Sequence, residues 1–262
     1  MLKFNNTEVK TIYFNGTQLK QAYFNGIPVF TTDALITYSS NGGAKQGIIV
    51  NLGSDSQTAY TNLKQQIKSI NDNNTNVDLK LESNSNLIQS MEDLFYQCKN
   101  LKSIDLSNFN SSNVTSLRYA FYQCTGLTSI DLSSLNTSNV TDMAYMFSSC
   151  SNLTSVNLSN LNLSSLNSMS SMFFNCTNLT TITGLNTLNT SHVTEMNSMF
   201  FLCSGLTSLN LTSFNTSNVT TMATMFYGCS NLTVIYVSNS WVTAPQSSGM
   251  FTNCGTDHVT VV

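Results

Sequence analysis

The chain is short of charge, and of positive charge above all. Only 9% of its 262 residues are charged, against about 25% in ordinary domains. All ten Lys and Arg lie at or before Arg118, so residues 119–262 carry no cation. A surface without cations offers nothing to phosphates, which argues against nucleic acid or an anionic membrane face as partners of that half. No run approaches the roughly 18 consecutive apolar residues of a membrane span, so insertion into a bilayer is not expected. The opening "MLKFNNTEVK" has no apolar signal-peptide core and "GTDHVTVV" no anchor, so export by the general pathway is not expected either. Histidine is nearly missing: His192 and His258 are the whole supply. Neither has a positioned nucleophile beside it, which argues against Ser-His-Asp or Cys-His catalysis. The acids Asp131, Asp142, Glu195 and Asp257 form no pair that sequence can place together. No C-x-x-C pair and no glycine-rich phosphate loop occurs. The expectation is a non-enzyme with no metal and no cofactor.

What the chain has in abundance is Ser, Thr and Asn laid over a regular apolar frame. Seven cysteines fall at 98, 124, 150, 176, 203, 229 and 254, with spacings of 26, 26, 26, 27, 26 and 25. Three residues before each stands a phenylalanine, from Phe95 to Phe251, and three residues after the first six stands a leucine, from Leu101 to Leu232. A period of this length means a solenoid, because one unit cannot bury its apolar face alone and stacked units merge theirs into one core. Each unit divides in two. "LTSIDL" (127–132) has the L-x-x-I-x-L form of a leucine-rich-repeat strand. "TDMAYMFSSC" (141–150) places Met143, Met146, Phe147 and Cys150 at i, i+3, i+4 and i+7, which predicts a short helix. Thr141 would be its N-cap, with Asp142 and Glu195 favoured by the helix dipole. Between strand and helix, Asn110, Asn136, Asn162, Asn189 and Asn215 recur at one place and are expected to bond the neighbouring coil. The fold class is therefore α/β: a leucine-rich-repeat solenoid over residues 86–262 with a small β-rich N-terminal region.

Two further segments precede it. Residues 1–30 repeat "KFNNTEVK", "YFNGTQLK" and "YFNGIPVF", with Phe4, Phe14 and Phe24 before an Asn-Asn or Asn-Gly pair. Asn-Gly favours the tight primed hairpin turn, so residues 2–30 read as a meander of short strands, too poor in apolar residues for a core of its own and suited to attachment. Residues 31–85 do not repeat. "ALITYSS", "GIIVNLGS" and "NVDLKLES" read as strands and "SQTAYTNLKQQIKSIND" as an amphipathic helix, a region suited to capping the first core layer.

"VTDMAYMFSSCSNLTSVNLSNLN" (140–162) resembles the BspA-like leucine-rich-repeat family of bacterial surface proteins, whose repeats read V-T-x-M-x-x-M-F-x-x-C-x-x-L. The likeness covers residues 86 to about 254. It implies a leucine-rich-repeat solenoid in exported proteins that bind host or matrix partners, and assigns no catalytic residue. The "YFNGT" phrases are similar to short repeats of bacteriophage structural proteins. Together the two resemblances imply a virion component (tail, fibre or decoration) assembled in the host cytoplasm. Residues 1–30 would dock to other virion proteins, residues 86–254 would be displayed towards a host surface protein or glycan, and the chain would belong to a homo-oligomer or larger assembly. The second reading is a bacterial cell-surface adhesin, and a third is a hydrolase of cell-wall sugar.

Candidate binding residues follow from the frame. Tyr96, Tyr122, Phe174, Phe201 and Tyr227 follow the core phenylalanines, interrupted by Ser148. They lie off the core-facing arc and form either an exposed aromatic stripe, the usual kind of interface anchor, or a seal between coils. In the last unit, Val234, Tyr236, Trp241, Val242 and Pro245 break the pattern, as a terminal cap or a partner contact. Ser129, Ser155, Thr181 and Ser208 make a uniform outer strand face. The cysteines read as buried free thiols, since identical positions point every sulfur the same way.

Overall fold

The repeated phrases become stacked coils. The computed structural model describes residues 33–262 and, before them, the backbone of six short strands. These are β1 (Lys3–Phe4), β2 (Thr7–Glu8), β3 (Thr11–Phe14), β4 (Thr17–Lys20), β5 (Tyr23–Phe24) and β6 (Ile27–Pro28). They pair antiparallel as three separate two-stranded sheets rather than one meander. Each ten-residue phrase supplies both of its own strands, so it completes its pairing without the next phrase. The Asn-Asn and Asn-Gly pairs lie outside the described residues, as do the side chains of this whole segment, Phe4, Phe14 and Phe24 included.

The non-repeating segment holds β7 (Asp33–Ser40), β8 (Gln46–Asn51), α1 (Ser56–Asn73) and β9 (Val77–Glu82), at the places the alternating and helical patterns indicated. Asp55 caps α1 by accepting from the Thr58 N–H at 2.9 Å. Helix α1 buries Ala59, Leu63, Ile67 and Ile70 in the same core as the repeats. Strand β9 pairs parallel with β10 (Leu101–Asp105), the first repeat strand, in a sheet of order β10-β9-β7-β8. Asn71 of α1 accepts the Asn100 N–H, and the Asn100 amide donates to the Asn71 carbonyl, both at 2.9 Å.

Seven coils follow, one per cysteine. Their L-x-x-I-x-L phrases and close variants form short parallel strands, β11 (Ser129–Asp131), β12 (Ser155–Asn157) and β13 (Thr181–Thr183), then β14 (Ser208–Leu211) and β15 (Val234–Val237), and the C-terminal tail adds β16 (Thr260–Val261). The architecture is a mostly β solenoid with few helices. The second half of each coil is not the expected short helix. In residues 143–150 the N–H groups divide their bonds between two directions. Met143, Tyr145, Phe147 and Ser149 donate to carbonyls of the next coil at 2.7–3.0 Å, while Met146, Ser148 and Cys150 donate three residues back within their own coil. The Ala144 N–H donates to the Asp142 carboxylate. Every donor is used, which an α-helix could do only by bonding inward and leaving the next coil nothing.

This path needs two left-handed residues per coil, here Tyr145 (φ 57°) and Ser149 (φ 62°), with equivalents in the other coils. It nonetheless buries Met143, Met146, Phe147 and Cys150 together, so consecutive tight turns produce the same apolar spacing as a helix. With no helix to cap, Thr141 donates to the Thr115 carbonyl of the preceding coil. Asp142 accepts from Ala144 and Arg118, and Glu195 accepts from Ser168. The recurrent asparagines also differ from expectation. Asn136, Asn162, Asn189 and Asn215 accept from the backbone two residues ahead in their own coil, and Asn110 does so while also donating to the Asn84 carbonyl of the preceding one. An Asx side chain closes such a turn locally. The inter-coil bonds come instead from Asn113, Asn139 and Asn218 and from Asn152, Asn178 and Asn231.

Phe95, Phe121, Phe147, Phe173, Phe200, Phe226 and Phe251 form one continuous stack, with neighbouring centroids 4.9–5.8 Å apart. The single 27-residue spacing falls between Cys176 and Cys203, and its extra residue appears at Gly184 (φ 82°), ahead of a 3-10 turn at Leu185–Thr187. A Cβ there would meet the Ser159 backbone nitrogen at 2.5 Å, so only glycine fits. The strand ladder stops at this point: β11-β12-β13 and β14-β15-β16 are separate sheets. On the turn side the bridges Ser168↔Glu195 and Glu195↔Thr221 pass through without a break.

Candidate functional site

The aromatic column after the core phenylalanines lies on the turn face. Tyr96 is 40% exposed and Tyr122, Phe174, Phe201 and Tyr227 are half-buried. Tyr96 stacks on Tyr122 at 5.0 Å; Phe174, Phe201 and Tyr227 form a second stack at 4.6 and 4.7 Å. Buried Ser148 separates the two. The other predicted residues lie elsewhere. Tyr236, 39% exposed, projects from β15, and Trp241 packs against the last core layer, its buried indole N–H without a partner among the described residues.

A second column escaped the sequence reading. Asp93, Tyr119, Tyr145, Ser171, Ser198, Thr224 and Gly249 occupy one position in successive coils, and all have positive φ. Gly, Asn and Asp suit that region; a bulky or β-branched side chain there costs on the order of 1–3 kcal/mol. Tyr119, Tyr145 and Thr224 carry that strain, and the two tyrosines stack at 4.9 Å. The Tyr119 ring meets Tyr122 edge-on at 5.5 Å. Arg118, the only arginine, lies 4.8 Å from the Tyr119 centroid and 5.6 Å from that of Tyr145. Its guanidinium bonds Asp142 at 3.2 Å and the Tyr119 hydroxyl at 3.3 Å. Burial works against its charge, but those two bonds outweigh it and hold its pKa above the usual value. The signal available in the sequence was two tyrosines 26 apart in a column otherwise free of aromatics.

Beside this patch a cleft of about 430 Å³ opens between α1 and the first coils, lined by Ser56, Gln57, Tyr60, Gln89, Glu92 and Asp93 among others. The Tyr60 hydroxyl bonds the Glu92 carbonyl and receives Lys64 at 3.0 Å.

The cysteines are free, six of them buried, and among the described residues no group of His, Cys, Asp and Glu could hold a metal. Each thiol from Cys124 to Cys229 donates to a core phenylalanine carbonyl of the preceding coil at 2.9–3.0 Å. Burial pushes Cys98, Cys150 and Cys229 up to about 12. A thiol that seldom ionises is a poor nucleophile. His192 sits exposed where Asn113, Asn139 and Asn218 stand in other coils and makes no inter-coil bond; its ring contacts Ser191 at 3.2 Å. His258 pairs with Asp257 at 2.8 Å on the surface.

No helix among the described residues is long and apolar enough to cross a membrane. Residues 61–181 and 152–259 match the family described as "Mycoplasma protein of unknown function, DUF285", a BspA-like surface-repeat family. No curated protein and no solved structure matches the chain.

Proposed function

Because the chain belongs to the DUF285 family, its two matched stretches together reaching from residue 61 to 259, we propose that it is a non-catalytic, surface-associated repeat module. Its turn face is held out for a macromolecular partner. The observation that carries this reading is the separation of tasks within most coils. One aromatic per coil is spent on the core stack, and in five of the seven a second (Tyr96, Tyr122, Phe174, Phe201 or Tyr227) stands outside it. Rigid aromatics at a surface bind with little loss of side-chain freedom. The L-x-x-I-x-L strand is the leucine-rich-repeat element of the coil in this reading, with the usual helix replaced by turns. The virion role rests on the N-terminal phrases alone and draws no support from the family match, which begins at residue 61.

Protease shaving of intact source cells, followed by mass spectrometry of the released peptides, tests the proposal. Peptides from residues 86–254 are expected before lysis. Their release only after lysis overturns surface display.

A further inference from the structure

In a repeat protein each column of residues answers one structural demand, so a departure confined to a few coils marks a second demand. On the turn face the departures gather at the N-terminal end. The column that reads Ser171, Ser198, Thr224 and Gly249 in later coils reads Asp93, Tyr119 and Tyr145 in the first three, despite positive φ at every position. The neighbouring column reads Ala144, Ser170, Asn197 and Ala223 in later coils but Glu92 and Arg118 in the first two. The other left-handed column also holds bulky residues (Gln97, Gln123 and Leu202), so it is the gathering of the strained Tyr119 and Tyr145 with Asp93 and Arg118 at one end that points to a use other than folding.

We propose that Asp93, Tyr96, Arg118, Tyr119, Tyr122 and Tyr145 form a docking surface for a protein segment bearing Lys or Arg side chains. This surface rests on the turn face being held out for a partner, as proposed above. Tyrosine and arginine are the residues that dominate interface energetics, and here mutual stacking holds the rings before any partner arrives. Tyr119 and Tyr122 each spend ring area on a neighbour, and Arg118 lies against Tyr119 and Tyr145. What remains outward is chiefly ring edges and hydroxyls, which suits a peptide better than the flat face of a sugar. Among the described residues the Tyr96, Tyr122 and Tyr145 hydroxyls and the Asp93 carboxylate have no side-chain partner. Arg118 is neutralised by Asp142. Glu92 and Asp93 then outnumber Lys64, which reaches the Tyr60 hydroxyl in the adjoining cleft, and leave the patch acidic by one charge; no cation follows Arg118 in the chain. A basic segment is the complementary partner.

An NMR titration of the full labelled chain tests this, with octalysine, octaglutamate and cellohexaose as probes. Octalysine is expected to shift amides in 92–97, 118–123 and 142–146, with an apparent Kd at least tenfold weaker in Asp93→Asn. That substitution keeps the shape and suits positive φ, so it isolates the charge. Shifts from cellohexaose at those amides with none from octalysine would overturn the partner class. Octalysine shifts spread over residues 119–262, or equal shifts from octaglutamate, would overturn the patch. Tyr145→Ser restores the residue of the next coil. It is expected to leave the melting temperature unchanged or raised while weakening octalysine. A fall of several degrees with octalysine binding intact would show that the rings only seal the coils. Surface display is tested separately by shaving, so failure here leaves that reading standing.

Discussion

The strand face and the turn face belong to the same coils, yet they join those coils differently. Strands of two to five residues carry the parallel ladder on one side, and it is interrupted twice, between β10 and β11 and again at the one-residue insertion of Gly184, so that the repeat strands fall in three sheets. On the other side alternate N–H groups bond coil to coil, and the bridges run from Ser116↔Asp142 to Thr221↔Gln246 across the insertion. The phenylalanine stack also crosses it, with Phe173 and Phe200 at 5.7 Å. The irregular-looking turns, rather than the strands, are the continuous spine of this solenoid.

The comparison can be broken by experiment, and the largest effect is expected from alkali. The thiols that donate to phenylalanine carbonyls are the spine's buried ionisable groups. Their folded pKa lies above the ordinary 9.0, at about 12 for Cys150 and Cys229. The stability they supply is fully present below pH 9 and lost as pH rises towards 12. The loss is on the order of 1 kcal/mol per thiol per pH unit. Urea midpoints between pH 8 and 11 measure it, and Cys150→Ala is expected to flatten the slope. An unchanged slope would remove the thiols from the spine.

Next, Phe173→Ala should cost about 3–5 kcal/mol, whereas Ile182→Ala, in half-buried β13, should fall below the roughly 2–5 kcal/mol of a fully buried aliphatic. Equal urea midpoints would erase the distinction between the faces. Gly184→Ala comes third, at about 1–3 kcal/mol, since it combines positive φ with a backbone clash. Deleting Gly184 restores the 26-residue spacing and should join β13 to β14. Hydrogen exchange would show this as new protection at Ser208–Leu211, and its absence would assign the cut to something other than the extra residue. The smallest effect is a gain: His192→Asn restores the amide that bonds the preceding coil elsewhere and should add roughly 0.5–1.5 kcal/mol in thermal melts.

Repeat length, the core phenylalanines and the buried cysteines were legible because a column of identical residues can mean only that like lies over like. The path of the turn half was not. Met143, Met146, Phe147 and Cys150 satisfy helical spacing and a train of tight turns alike. What separates the two is backbone sign at Tyr145 and Ser149, residues without a glycine's signature. Asparagine was recognised as a turn residue, but its range was misjudged: Asn136 closes its own turn, while Asn139, three residues on, reaches the neighbour. The candidate surface was half visible. The column from Tyr96 to Tyr227 stood out by its aromatics, but Arg118 and Asp142 sit in different units, and only stacking brings them within 3.2 Å.

Seven cysteines usually tie a protein to one chemical climate, whether oxidising to build crosslinks or reducing to prevent them. Here five sulfurs are occupied as donors to carbonyls in a dry interior, and only Cys254 is partly open to solvent. Burial therefore shields the thiols from oxidant and reductant alike, and the stacking of the coils does not depend on a crosslink.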